Sequence, residues 1–341
     1  MGTVFESEIR SQGQVLAARS APGLAQAKAV AASWRDSAYA LVAARGSSDN
    51  AARFFQYLAG QELGLLVALA APSLYEGERV IGLAGAAVLA VSQSGRSPGM
   101  TDVVAQARAQ GRPTAAVTND LTSPLAAGCD HVIDLATGPE RAIASSKTFA
   151  ATWQALAQLV SALRETELDG LDALAEDVDH VAAWALGASL PLELLDGGGG
   201  LTVVGRGVGF AAAAEVALKI REVAGVRAEV FAASDYVHGP IGADGEGSTL
   251  VFVVTDETSD ELAATVLADC RGRGMTTVVV RGADRGSVAA DDEIVIPLAR
   301  PNWVLGLGAV VVGQVAALRL GERRGRPIDT SPGLSKVTYS A

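Results

Sequence analysis

Glu215, Lys219 and Glu222 stand at i, i+4 and i+7 within residues 211–223, a stretch otherwise made of Ala, Val, Leu and Ile with one Arg. On a helix that spacing puts all three on one face. The run is apolar on nearly every side, which is the pattern of a buried helix. Charges on such a helix must be paired or line a cavity. Two carboxylates around a lysine can move a proton between carbon atoms. A surface ion-pair stripe is the plainer alternative, and the lack of a polar side argues against it.

A second kind of chemistry lies in three serine-bearing turns: Ser47-Ser48, Ser92-Gln93-Ser94-Gly95-Arg96-Ser97, and Ser145-Ser146. Each follows an apolar segment of strand length and leads into a helical pattern. Free backbone N–H groups at a helix N-terminus, with hydroxyl donors beside them, suit an anion such as phosphate. In the middle turn, Ser97 is expected as N-cap and Pro98 as the first helical residue. Three such turns at the carboxyl ends of strands are placed to converge on one ligand. His238 sits in a Gly-Pro turn (Val237-His238-Gly239-Pro240), where a surface or cleft position is expected. Lys336 lies in a proline-bearing tail, 326–341, that reads as extended chain.

The elements that must position these groups alternate between strand and helix, which predicts parallel sheets. Residues 5–34 read as helical. Strands are expected at 39–44, 65–70, 88–91, 114–117 and 131–135, with a long helix running from Lys147 to about 166. A helical stretch covers about 171–186. Asp196-Gly197-Gly198-Gly199-Gly200 is the clearest break, and the pattern restarts after it with a strand at 201–204 and a helix from about 211 to 224. The restart is a repeat. Arg45-Gly46 matches Arg206-Gly207 at an offset of 161 residues, and strands 88–91, 114–117 and 132–133 match 251–254, 277–280 and 295–296 at 163. Matches in one order at nearly one offset predict two copies of one α/β unit. The copies differ at the anion-friendly turn: Ser92-Gln93-Ser94-Gly95 becomes Thr255-Asp256-Glu257-Thr258, and an acidic turn repels phosphate. The expected architecture is two tandem doubly wound parallel sheets, each a three-layer αβα sandwich. Its parts are a helical segment 1–35, a phosphate-binding subdomain 36–170, a connecting helix and linker 171–196, a second subdomain 197–325, and the tail 326–341.

The chain has 341 residues, 49% of them hydrophobic, which is enough for one large or two medium cores. A net charge of −11 argues against nucleic acid or an anionic membrane as the main partner. Cys129 and Cys270 show no metal-type spacing, and with only His131, His180 and His238 a zinc site is not expected. Residues 1–10 do not read as a signal peptide, and no apolar run reaches membrane length without Gly or charge. A soluble cytoplasmic protein is the expectation.

Taken together, these motifs resemble the sugar isomerase (SIS) domain family over nearly the whole chain. The likeness is to the isomerase half of glucosamine-6-phosphate synthase and to the SIS-type glucosamine-6-phosphate deaminases. The resemblance implies two SIS subdomains in one unit and a dimer. It implies that Ser47, Ser48, Ser92, Gln93, Ser94, Ser97, Ser145, Ser146 and Ser335 bind the sugar phosphate. Glu222 would carry a proton between C1 and C2, with Lys219 and Glu215 beside it at the sugar hydroxyls. His238 would open the ring from the neighbouring subunit, and Lys336 would approach the open-chain carbonyl, where it can form a Schiff base. No cofactor is implied. Two departures from the synthase matter. Gly2 stands where it has a catalytic cysteine, so that its glutaminase domain is not expected here, and Arg96 stands where it has Glu. Ser-Gln-Ser-Gly-Arg-Ser-Pro is similar to the stand-alone deaminases. The expected reaction is glucosamine 6-phosphate plus water to fructose 6-phosphate plus ammonia. A fructosamine-6-phosphate deglycase, another SIS aldose–ketose amino-sugar isomerase, and a non-catalytic sugar-phosphate sensor are the alternatives.

Overall fold

A computed structural model describes residues 2–77, 79–196, 198–331, 333, 335 and 336. Gly197 of the glycine break, and Pro332 and Leu334 of the tail, lie outside the described residues. The chain divides into two compact units. The N-terminal unit holds Gln14–Glu140, Lys147–Leu171 and the tail residues Ser335 and Lys336. The C-terminal unit holds Arg141–Ser146, Asp172–Leu334 and the start of the chain up to Gly13.

In the N-terminal unit, β1 (Tyr39–Ala43), β2 (Val67–Leu69), β3 (Ala86–Val91), β4 (Thr114–Thr118) and β5 (His131–Asp134) form one sheet in the order β2-β1-β3-β4-β5. All neighbours are parallel. Every residue of β3 is buried, as a central strand covered on both faces requires. Helices Ser47–Leu63 and Lys147–Arg164 pack together through aromatic rings: Phe54 stacks on Trp153 with centroids 3.7 Å apart. Burial of one such ring contributes about 1.5–3 kcal/mol.

In the C-terminal unit, β6 (Leu201–Gly205), β7 (Ala228–Ala232), β8 (Thr249–Val253), β9 (Thr276–Gly282) and β10 (Asp292–Ile296) are also parallel, in the order β10-β9-β8-β6-β7. Counted within its own unit, that is the same strand order as the first sheet. Helix Asn302–Arg323 is apolar and long enough to cross a membrane, but 94% of its most apolar 18-residue stretch is buried inside the fold. Gly313 lets it lie against helix Val208–Lys219, since a Cβ there would come within 2.6 Å of Val216.

The correspondence between the sheets reaches individual bonds. Thr114 donates from N and Oγ1 to Asp130 Oδ2, and Thr277 does the same to Asp291 Oδ2. Arg45 reaches the Pro98 carbonyl across its sheet's crevice, and Arg206 reaches the Thr258 carbonyl across the other. Gly46 and Gly207 precede equivalent helices with nearly identical backbone angles, φ 59°, ψ −132° and φ 56°, ψ −127°.

Candidate active site

In an open parallel sheet, ligands collect at the carboxyl ends of the strands where the strand order reverses. In the N-terminal unit that point lies between β1 and β3. The turns that leave these two strands are Arg45-Gly46-Ser47-Ser48 and Ser92 to Ser97, and the bond from Arg45 Nε to the Pro98 carbonyl, 3.3 Å, ties them together. Ser47 and Ser48 open the helix Ser47–Leu63, so the first backbone N–H groups of a 17-residue helix face this end of the sheet. Ser92 is buried, and its hydroxyl lies 2.9 Å from that of Ser97. Gly95, at φ 60°, fits where no other residue does: a Cβ would sit 2.0 Å from Ser123 Oγ. The Gln93 carbonyl accepts from Asn119 N and Thr118 Oγ1, so the next loop holds the turn from below. Arg96 points to Asp120, 3.1 Å away.

One local expectation is corrected here. Ser97 does not cap a helix and Pro98 does not begin one. The helix starts at Met100, with Gly99 at φ 77° as its N-cap. A second left-handed glycine lengthens the turn, which frees the Ser97 hydroxyl for Ser92 and the Pro98 carbonyl for Arg45.

The third serine turn belongs to the other unit. Arg141–Ser146 groups with the C-terminal unit because its N–H groups are held there. Arg141 N and Ala142 N donate to the buried Glu8 carboxylate, and Ile143 N donates to the Asp329 carbonyl. The Asp329 side chain in turn accepts from Val4 N and Phe5 N. Within the N-terminal unit, Lys336 Nζ lies 2.8 Å from Glu140 Oε2. Glu140 is buried and also accepts from Thr148 N and Oγ1. Burial pushes its carboxyl up, but the Lys336 ammonium and the Thr148 donors prevail and hold it below the ordinary value. Ser335, beside Lys336, is exposed.

In the C-terminal unit, the charged stripe lies on the helix Val208–Lys219 and the turn that follows. Ile220–Ala224 is a π-helical turn, not a continuation of the α-helix. Such turns are rare and frequent at functional sites. Lys219 and Glu215 have no exposed side-chain surface, and Lys219 Nζ lies 3.3 Å from Glu215 Oε1 and 2.6 Å from Glu222 Oε2. Glu222 keeps 24% of its side chain exposed, so one carboxylate of the trio is reachable. Burial pulls the Lys219 ammonium down, but the two carboxylates more than offset it and it ionises above the usual lysine value. It is a fixed positive charge that orients Glu222.

His238 is exposed, on a short loop between Tyr236 and the 3₁₀ turn Pro240–Ala243. That loop is anchored below: the buried Tyr236 hydroxyl donates to Asp244 Oδ2 at 2.7 Å, and Thr202 Oγ1 donates to the same oxygen. The corresponding turn after β8 supplies its own acceptor. Asp256 Oδ1 takes hydrogen bonds from Thr258 Oγ1, Ser259 N and Ser259 Oγ. Among the described residues, no group of three His, Cys, Asp or Glu side chains is placed to hold a metal ion.

The SIS domain model matches the chain twice, over residues 35–162 and 199–319, one match per sheet. The glutamine–fructose-6-phosphate aminotransferase (isomerizing) of Corynebacterium glutamicum is 34% identical over 269 residues, covering 73% of this chain and 42% of that protein. The chain thus spans less than half the length of the curated relatives it matches. A Silicibacter pomeroyi protein assigned provisionally as a phosphosugar isomerase superposes with a TM-score of 0.81 at 28% identity, covering 96% of this chain and 99% of that one. The glucosamine-6-phosphate deaminase of Thermotoga maritima shares the fold, with a TM-score of 0.75 at 19% identity over 98% and 99% of the two chains. Two matched segments, each enclosing one five-stranded parallel sheet, make this chain a member of the SIS domain family.

Proposed function

We propose that this chain deaminates and isomerises an amino-sugar phosphate, taking glucosamine 6-phosphate and water to fructose 6-phosphate and ammonia. The observation that carries the reading is the Glu215–Lys219–Glu222 trio, with two members fully buried and one carboxylate left open on a π turn. A sensor needs only a phosphate grip; a buried cation aimed at a reachable carboxylate serves proton transfer.

In this reading, Ser47, Ser48, Ser92, Gln93, Ser94 and Ser97 hold the phosphate, with Ser145, Ser146 and Ser335 completing the contacts. His238, exposed on its own protomer, is donated across a homodimer and opens the ring. Glu222 takes the C2 proton of the open-chain aldose and returns it to C1, while the C1 oxygen is protonated to a hydroxyl. The C2 amine becomes an imine, water adds at C2, and ammonia leaves to give the ketose. Lys219 keeps Glu222 aimed, and Lys336 donates to the C1 oxygen. The Arg96 turn, where the synthase has Glu, supports deamination over amide transfer.

The test is a coupled assay for ammonia and fructose 6-phosphate on glucosamine 6-phosphate. Equimolar release of both products is the expected outcome. Turnover of a fructosamine 6-phosphate alone would replace this reaction with deglycation. Sugar-phosphate binding without any turnover would replace it with sensing.

A further inference from the structure

Glu140 has no part in the scheme above, yet it is a buried carboxylate in contact with a working group. Its side chain has no exposed surface, and its Oε2 lies 2.8 Å from Lys336 Nζ, whose side chain keeps 26% exposed. The two residues are 196 positions apart in sequence. Thr148 N donates to one Glu140 oxygen at 3.0 Å and Thr148 Oγ1 to the other at 2.6 Å. Thr148 is the second residue of the helix Lys147–Arg164, so the carboxylate also sits where the helix dipole favours negative charge. The neighbouring Lys147 does not compete, because its ammonium is turned to the Pro139 carbonyl at 2.8 Å.

A buried carboxylate used only to cap a helix needs no second cation, and a buried ion pair is a poor source of stability against an apolar replacement. A carboxylate fixed from one side by two donors on one residue leaves its open edge as a rigid receptor for an ammonium. We propose that Glu140 is the positioning residue for Lys336: it seats the tail lysine at a fixed point of the N-terminal unit, so that Lys336 enters the reaction as an aimed hydrogen-bond donor. This rests on the reading of Lys336 as working at the sugar.

The chain has four lysines, Lys28, Lys147, Lys219 and Lys336. That permits a site-resolved test on the intact protein by trace acylation with acetic anhydride, read by peptide mass spectrometry, with exposed Lys28 as internal reference. In the wild type, Lys336 reacts more slowly than Lys28. In Glu140→Gln, Lys336 acylation rises roughly tenfold relative to Lys28, because the side chain loses its charged hydrogen-bond partner and is freed from its seat. On glucosamine 6-phosphate the same variant loses roughly 10- to 100-fold in kcat with KM nearly unchanged, and Glu140→Asp recovers part of the loss. Thr148→Val keeps the charge but removes one aiming donor. It gives an intermediate acylation rate and decides the matter should Glu140→Gln not fold. Lys336 reacting like Lys28 in the wild type, or unchanged in the folded variants, overturns the pairing. Altered acylation with unaltered kcat overturns the positioning role. Absence of turnover in the wild type removes the deaminase reading instead, and the acylation result still decides whether Glu140 holds Lys336.

Discussion

Replacing Lys219 with methionine removes the ammonium that Glu215 and Glu222 share while keeping an unbranched side chain one atom shorter. Glu215 has no exposed surface, so its charge cannot be rehydrated when the partner goes; Glu222, at 24% exposed, can turn to water. The cost therefore falls on Glu215. Breaking a buried pair from one side typically costs about 3–5 kcal/mol. For a unit of this size that is a drop of roughly 6–20 °C in Tm. The assay is thermal and urea unfolding of the wild type, Lys219→Met, Glu215→Gln and the double variant. The double variant regains at least half of the loss, because it no longer buries an unpaired charge. The sign with pH follows from the direction of the shift. Lys219 ionises above the ordinary lysine value. Its contribution is complete below about pH 10.4 and is lost as the pH rises through the folded value. The gap between wild type and Lys219→Met accordingly narrows in strong base. A loss under about 1 kcal/mol, or a double variant as unstable as the two single losses added together, would refute the reasoning.

Glu222→Gln leaves the trio's packing intact and lowers kcat on glucosamine 6-phosphate by at least roughly 100-fold, measured in the coupled product assay. Gly95→Ala forces a Cβ to 2.0 Å from Ser123 Oγ at a left-handed position. Sugar-phosphate affinity by calorimetry falls by tenfold or more, about 1.4 kcal/mol, while the Glu222 region is untouched. Tyr236→Phe removes a hydrogen bond to Asp244 beneath the His238 loop and costs about 1.5–3 kcal/mol in urea unfolding.

The central strands of both sheets are legible because they are apolar runs and because the second half repeats the first at a nearly constant offset; β7, with Glu229 inside it, carries no such signature and is not foreseen. The trio was legible because i, i+4, i+7 spacing is local. What lay beyond reach was of two kinds. The π turn at Ile220–Ala224 and the delayed helix start at Met100 depend on backbone choices that the neighbouring residues leave open; Ser97-Pro98 satisfies the rules of a helix start but is recruited by Ser92 and Arg45. The contacts of Glu8, Asp329 and Glu140 join positions 133, 325 and 196 residues apart, and no periodicity records such pairs. A Glu followed eight residues later by Thr at a helix start was the one visible trace of the Glu140 site.

The aspartate after β8 has a consequence for stoichiometry. Asp256 folds back on its own turn and satisfies the hydroxyls and the N–H that an incoming oxyanion would need. The second crevice thus comes with its guest already covalently built in. Each polypeptide should titrate with a single equivalent of phosphorylated sugar, however closely its two halves mirror one another.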